Sequence, residues 1–480
     1  MSQIADFSLD LDFADTYPML AALRSKMPFM VSRYEKAWKR SKVFADKHMR
    51  PIASEVDRRI QEDHSYLPMD FCRVAAREKM FSLVIPKVIG GQGGDLLELC
   101  IIFEELCAAC PGLGNIIGAH YLGLSALFAG LKMSVTVPIC EEIVEGEKRG
   151  EPVMLSAAIT EPGAGSDVED EHAVKTARIC TFAEKVNGGY KINGQKIFIS
   201  NGHLAKYHAV VLWRDRNNLF ESGAGFIIPT GTKGFDIVKA EIKMGQLACP
   251  ASVLVFEDCF IPEDKSIMPM DMKGTTFSRV GFVLGASRAG VGAIGTGIAR
   301  GAFERALEFA ATHTWRGERI IDQQWAQMIL VDMLRNVWIG RAFYVESAMT
   351  DQIDGLMSVL KSPLLRFAQL YPAKIRNMKF FKKIVSSSLS TWFMNRGLEK
   401  IARRRRQRVQ AYSSAAKYTG TDLAMENANL AIELAGAAGC SDPGIEKTFR
   451  DAKLVQIYEG TNQINRIHVW DNIIQRNTIC

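Results

Sequence analysis

From Phe277 to Trp315 the chain carries a small residue at every fourth position: Gly281, Gly285, Ala289, Ala293, Gly297 and Gly301. On a helix these positions share one face, and their missing side chains let another helix approach closely. The pattern reads as one long helix. Arg288 and Arg300 interrupt it, which favours burial in a protein bundle over a membrane span. Gln323 to Met349 and Ser413 to Ala435 carry the patterns of further bundle helices. With 480 residues the chain can bury a large core in two or three domains.

The first 150 residues are also helical in period. Tyr34 to Glu55 and Phe71 to Phe81 place apolar residues three and four apart. Leu96 to Ala109 follows a glycine-rich turn at Ile85 to Asp95, and His120 to Leu131 is a further apolar helix. From Pro152 the grammar changes. Tyr207 to Trp213, Gly225 to Pro229 and Ser252 to Pro262 are rich in β-branched and aromatic residues. Asn187-Gly188-Gly189 and Asn193-Gly194 are hairpin turn signals. The chain therefore reads as α+β: an N-terminal helical domain over 1–150, a β-domain over 151–270, and a C-terminal helical bundle over 271–480.

No run reaches the roughly 18 uncharged apolar residues of a spanning helix, and the acidic start M-S-Q-I-A-D-F-S-L-D lacks a signal core. A cytoplasmic protein is expected. Cys107 and Cys110 form a C-x-x-C, but no second pair or His cluster completes it. A buried helical face is the better reading, with no metal. The formal charge of +6 is uneven: Lys361 to Arg408 hold fourteen Lys/Arg against Glu399, so this segment carries +13 and the remainder −7.

Three short stretches carry chemistry. Lys453 to Arg466 reads K-L-V-Q-I-Y-E-G-T-N-Q-I-N-R, with Glu459 between an apolar lead-in and Gly460-Thr461. Gly re-aims the chain and allows a ligand close, so a carboxylate there can act as a general base over a flat cofactor. Alone, the pair also fits an ordinary exposed Glu at a helix end. Met154 to Val168 reads M-L-S-A-A-I-T-E-P-G-A-G-S-D-V, a strand entering a turn that presents Thr160 and Ser166. Such a loop can hydrogen-bond a flat heteroaromatic ring. Gly194 to Gly202 reads G-Q-K-I-F-I-S-N-G, with Phe198 free to stack and Ser200 to bond.

Taken in chain order, with V-F-E-D-C-F-I-P following G-Q-K-I-F-I-S-N-G and helices leading on to Y-E-G-T, these stretches resemble an acyl-CoA dehydrogenase. The resemblance runs from about residue 30 to the C-terminus outside residues 355–410. It implies the helix–barrel–helix-bundle fold, with a central β-barrel-like domain, and FAD between the β-domain and the C-terminal bundle, partly across a dimer interface. It makes Glu459 the base that removes the α-proton of an acyl-CoA, with the β-hydride passing to the flavin. It places Ile159, Thr160, Phe198, Ile199 and Ser200 at the flavin, and Ser166 at both cofactor and CoA. It sets Arg288 on the pantetheine arm, Gly460 on the substrate, and Thr461 and Gln463 on the ADP half. His313 stands where an Arg meets the FAD pyrophosphate, with Arg316 one helical turn on as a substitute. Glu433, in E-L-A-G-A-A-G with Gly436, stands where a Gln is usual. Gly285 replaces a frequent Asp, and Leu247 a frequent Arg. The implied partners are an acyl-CoA, an electron-transfer flavoprotein or a membrane-bound acceptor, and one or three further copies of the chain.

Residues 355–410 have no counterpart in the common form of the family. Leu364, Phe367, Ala368 and Tyr371 share one helical face, and Val385, Leu389, Trp392 and Phe393 another, within a basic setting that ends in Arg403 to Arg406. An amphipathic, Trp-bearing, Arg-rich segment suits an anionic membrane surface, here the inner face of the membrane. A solvated extension of the bundle and a nucleic-acid contact are the other readings. The corresponding alternatives for the whole chain are a DNA-associated flavoprotein and a scaffold that has lost turnover. The region Pro111 to His120 carries no Arg, which disfavours a dicarboxylic acyl group.

Overall fold

The computed structural model describes residues 11–170, 173–267, 275–356, 358 and 383–475. The longer helices of the N-terminal part are α1 (Pro28–His48), α2 (Ala53–Glu62), α3 (Met69–Arg77), α4 (Leu96–Ala109), α5 (Pro111–Gly130) and α6 (Met133–Arg149). The central part is built from β1 (Leu155–Ala158), β2 (Phe182–Val186), β3 (Gly189–Ser200), β4 (Tyr207–Trp213), β5 (Gly223–Pro229), β6 (Phe235–Ala240) and β7 (Ala251–Pro262). The C-terminal part holds α7 (Thr275–Thr312), α8 (Gln324–Asp354), α9 (Ser388–Glu399), α10 (Arg403–Ala435), α11 (Ile445–Val455) and α12 (Asn462–Val469).

α7 is the axis expected from its small residues, and two helices use them from different sides. A methyl on Gly292 or Gly295 would collide with the α10 backbone at Ala416 or Gly420, and one on Gly297 or Gly301 with the α4 backbone at Glu104 or Ala108. The sheet runs β1-β4-β2-β3-β7-β6, with β5 on the other edge of β4. No pairing joins β5 to β6 among the described residues, so it is a curled, open sheet and not a closed barrel. Its inner face buries Tyr190, Ile192, Val210, Leu212, Phe226 and Phe256 as a core of its own.

Three expectations need correction here. Asn193-Gly194 is not a hairpin tip. It lies inside β3 at a bulge, where Gly194 adopts φ +136° and presses against Thr181. The run α5, from Pro111 to Gly130, is in fact long and apolar enough to cross a membrane, as is Ser278 to Thr312. Both lie mostly buried in the protein core. The arginines Arg403 to Arg406 open the bundle helix α10, where Arg405 and Arg408 face the carboxylate of Asp354 at 3.6 and 3.2 Å.

The domains are fastened by a buried ionic knot. Glu104 on α4, fully buried, takes two hydrogen bonds from Arg341 of α8 at 2.6 and 3.0 Å, one from Tyr344 at 2.6 Å, and faces Arg300 at 3.4 Å. Tyr17 closes the knot at 3.0 Å from the Tyr344 hydroxyl. Burial alone would raise the Glu104 pKa, but Arg341 and Arg300 outweigh it and bring it to about 2. This contribution is fully present above the unfolded value of about 4.3 and is lost as pH falls through the folded one. Glu104→Gln strips Arg341 of its carboxylate partner, while Arg300 keeps Glu105 and Glu304, and is expected to cost about 3–5 kcal/mol, read by guanidinium unfolding at neutral pH.

Candidate active site

α11 ends at Val455, and the chain turns through Tyr458-Glu459-Gly460 before Thr461 caps α12. Glu459 and Gly460 both take left-handed angles, φ +57° and +76°. Such angles cost a non-glycine residue about 1–3 kcal/mol and persist only where the surroundings enforce them. The enforcement is visible. Arg288 Nε donates to the Glu459 carbonyl at 3.1 Å. Lys417 Nζ donates to the carbonyls of Gln456 and Gly460 at 3.0 and 2.8 Å. Asn465 Nδ2 reaches the carbonyls of Gly460 and Thr461 at 2.9 and 3.0 Å. Gly460 is obligatory here, because a Cβ would lie 2.7 Å from the Glu169 carboxylate and 2.8 Å from the Arg288 guanidinium.

The Glu459 carboxylate is half-buried and accepts one hydrogen bond, from Ser287 Oγ at 2.7 Å. Its backbone N–H meets no protein acceptor among the described residues. Burial raises its pKa above the usual carboxylate range, while Ser287, Arg288 and Lys417 pull the other way. Burial, and then the charge of Arg288, lower Lys417 to about 7. Arg288 is itself spent on protein partners: besides Glu459 it meets Glu169 at 2.7 Å, His468 at 2.6 Å and Ser414 at 3.2 Å. An Asp at 285 would have no room, since even a methyl there lies 2.8 Å from Val409. Glu169 supplies the carboxylate for Arg288 instead.

The second wall comes from the sheet. Ile159 and Thr160 follow β1 and stay half-buried. Beneath them Lys196 and Glu161, both fully buried, form an ion pair at 2.6 Å, and Lys196 also holds the Ile159 carbonyl at 2.9 Å. Ile197 N–H donates to Thr160 O at 3.0 Å, which sets the next residue, Phe198, beside Thr160. A bulge between Lys196 and Ile199 gives Phe198 φ +57° and turns its ring outward, 56% exposed. Ser200 is half-buried at the end of β3, and Ile199 is buried beneath. Ser166 opens a short helical turn to Glu169, the partner of Arg288, so this loop is tied to the Glu459 loop. Thr461 caps α12 through Ile464 N–H at 3.4 Å, and Gln463 is exposed.

Four expected residues lie elsewhere. α7 runs from Ser287 to its end at Thr312, twenty-five residues or roughly 37 Å, and His313 follows, stacked on Phe309 at 3.8 Å. Arg316 is not one helical turn further. The helix has ended, and Arg316 (φ +53°) and Gly317 (φ +89°) form the tip of a two-residue hairpin, with the guanidinium over Trp315. Glu433 and Gly436 are exposed at the far end of α10, about 24 Å along the helix from Lys417. Within one chain, then, the Ser166–Glu169 loop is joined to the Glu459 loop through Arg288, and these four lie far along α7 and α10 from it.

Sequence models of known families match the chain in three consecutive blocks: acyl-CoA dehydrogenase N-terminal domain at residues 35–130, middle domain at 156–259, and C-terminal domain at 276–375 and 383–474. The chain belongs to the acyl-CoA dehydrogenase family. Membership bears out the expected oxidoreductase, and FAD as its cofactor. Only residues 376–382 of the basic segment fall outside the C-terminal match. The short-chain-specific acyl-CoA dehydrogenase of Clostridium acetobutylicum is 28% identical over 442 residues, 90% of this chain and 95% of that one. Among solved structures, butyryl-CoA dehydrogenase of Megasphaera elsdenii superposes with a TM-score of 0.70 at 23% identity, covering 91% and 97% of the two chains. The FAD complex of PigA gives 0.68 at 20%, covering 98% and 100%.

The ring end of the site fits a flavin in this acyl-CoA dehydrogenase. A large exposed aromatic at Phe198 stands beside the half-buried pair Ile159-Thr160, a surface that a flat heteroaromatic group would cover. Sequence reasoning missed Ser287, Glu169, Lys417 and Asn465. The lone Lys in S-S-A-A-K-Y-T-G was a legible oddity, since a lysine among small residues on a bundle helix needs partners. Nothing in the sequence marked Ser287.

Proposed function

We propose that this protein oxidises an acyl-CoA thioester to the 2-enoyl-CoA, with Glu459 taking the α-proton. The observation that carries this reading is a carboxylate of raised pKa beside an uncommitted amide, its own N–H, on a loop clamped in a strained conformation. The carboxylate takes the proton, and the amide is available to the thioester oxygen as negative charge grows there; one such donor contributes about 3 kcal/mol. FAD, when bound, accepts the β-hydride. Ile159, Thr160, Ser166, Phe198 and Ser200 would hold the ring. Arg288 orients the base through its carbonyl, and Ser166 lies on the loop that Glu169 anchors to Arg288.

His313, Arg316, Glu433 and Gly436 lie far along α7 and α10 from the residues that hold the Glu459 loop of the same chain. A second copy supplies them, so the active form is at least a homodimer. The reduced protein passes its electrons to an electron-transfer flavoprotein or a membrane-bound acceptor. Anaerobic mixing of the FAD-loaded protein with saturated acyl-CoAs is expected to bleach the flavin. If no acyl-CoA does so, the reading is wrong.

A specific surface favours work at the membrane. α9 turns Met394 and Leu398 inward and leaves Leu389, Trp392 and Phe393 exposed, with Ile384 beside them. Val385, expected on the same face, is buried instead. The other expected face, Leu364 to Tyr371, lies outside the described residues. Arg396 lies over the Trp392 ring, and Lys383, Lys400 and Arg404 are exposed on the flanking chain. Apolar insertion and about 1 kcal/mol per basic residue near an anionic surface give useful affinity together. The protein is expected to sediment with phosphatidylserine vesicles at low salt, and Trp392→Ser with Phe393→Ser to abolish this. Failure to bind vesicles, or binding to duplex DNA instead, rejects the membrane reading.

A further inference from the structure

Helices α5 and α7 run antiparallel and touch at two points. Arg279 donates to the carbonyls of Ala129 and Gly130 at 2.5 and 3.1 Å, and a methyl on Gly118 would meet Ile294 at 3.4 Å. Between these pins both otherwise buried helices carry half-exposed residues: Gly118, Leu122, Ser125 and Ala126 on α5, and Val283, Leu284 and Ser287 on α7. Half-exposed residues on two touching helices mark a cleft. On α7 they stop at Ser287, which bonds the Glu459 carboxylate, and residues 288–299 are buried without a break. On α5 they stop at Gly118, and residues 111–117 are buried. The blind end of the cleft therefore lies next to the base.

What fills the space beyond is Phe103 of α4, only 4% exposed and edge-on to Tyr121 at 6.1 Å. Its ring would lie 3.2 Å from a methyl on Gly290 and 4.0 Å from one on Gly118. Glycines on both facing helices make room for one aromatic ring. Gly290 is three residues, about 4.5 Å, along α7 from Ser287. We infer that Phe103 is the floor of the acyl pocket and restricts this protein to short acyl chains. This rests on the reading of Glu459 as the base. An acyl group with its α-carbon at Glu459 has space for a few carbons before it meets the ring, and a longer chain must displace a close-packed aromatic.

The test is the rate of flavin bleaching by butyryl-, octanoyl- and palmitoyl-CoA for the FAD-loaded wild type, Phe103→Ala and Phe103→Leu. Wild type is expected to favour butyryl-CoA over octanoyl-CoA by at least about tenfold, the scale on which a pocket discriminates chain length. Phe103→Ala should narrow that ratio at least about tenfold, with Phe103→Leu between. The inference is overturned if wild type takes palmitoyl-CoA as fast as butyryl-CoA, which needs no variant to fold. It is equally overturned if both variants keep the wild-type profile. If no acyl-CoA bleaches the flavin at all, the assignment of Glu459 has failed, and this inference with it.

Discussion

Glu459→Gln is expected to give a folded, FAD-loaded protein whose substrate-driven flavin bleaching is slower by at least about a thousandfold, within the range a positioned general base supplies. The amide is nearly isosteric and still accepts the Ser287 hydroxyl, and the carbonyl clamp from Arg288 does not involve the side chain. Only the capacity to take a proton is lost. The flavin spectrum and thermal midpoint should therefore stay close to wild type while the stopped-flow rate collapses. The pH profile gives a second readout. Because burial raises the Glu459 pKa, the wild-type rate should climb with pH through a limb above the ordinary carboxylate value of about 4.3, and Glu459→Gln should lose that limb. Ser287→Ala removes a bond that favours the ionised form, so it should move the limb to higher pH. A Glu459→Gln protein that bleaches at the wild-type rate would end the proposal.

Arg288→Met should have the largest effect on folding of any change in the site, a loss of about 3–5 kcal/mol, as expected on stripping one partner from a buried pair. It leaves Glu169 buried without its cation and releases the carbonyl of a residue held at φ +57°. Burial already raises the Glu169 pKa, with Arg288 opposing. Without Arg288 the folded value rises further, so the variant is stabilised at low pH and loses that stability as pH rises past it. Chemical unfolding at several pH values checks the sign. Adding Glu169→Gln should recover part of the loss at neutral pH, and a purely additive double mutant would show that the two groups are not coupled.

The elements legible in advance were those whose side-chain period matches their surroundings. Leu96 to Ala109 and Tyr207 to Trp213 fall where the pattern put them, since one is buried all round and the other lies between β5 on one edge and β1 and β2 on the other. Glu459, Ile159, Thr160 and Phe198 could be singled out in advance because each lies in a short motif that is local in sequence. What surrounds them was not. Ser287 and Glu459 are 172 positions apart, and Lys417 and Gly460 forty-three, so no local signal records their contact. Arg316 failed for a different reason: helical spacing was carried past Thr312, although Gly317 invites a left-handed turn there. The arginines of α10 were read as a separate basic insert, because only the fold reveals Asp354 opposite them.

The long reach of α7, with Ser287 in its first half and His313 just beyond its last residue, bears on inheritance as well as chemistry. If each cofactor is gripped by two chains, defects at the two ends are complementary. A pair joining one Glu459→Gln chain to one damaged near Glu433 would contain one centre with both faults and one with neither. Co-expressing two dead alleles should therefore restore part of the turnover, which neither achieves alone.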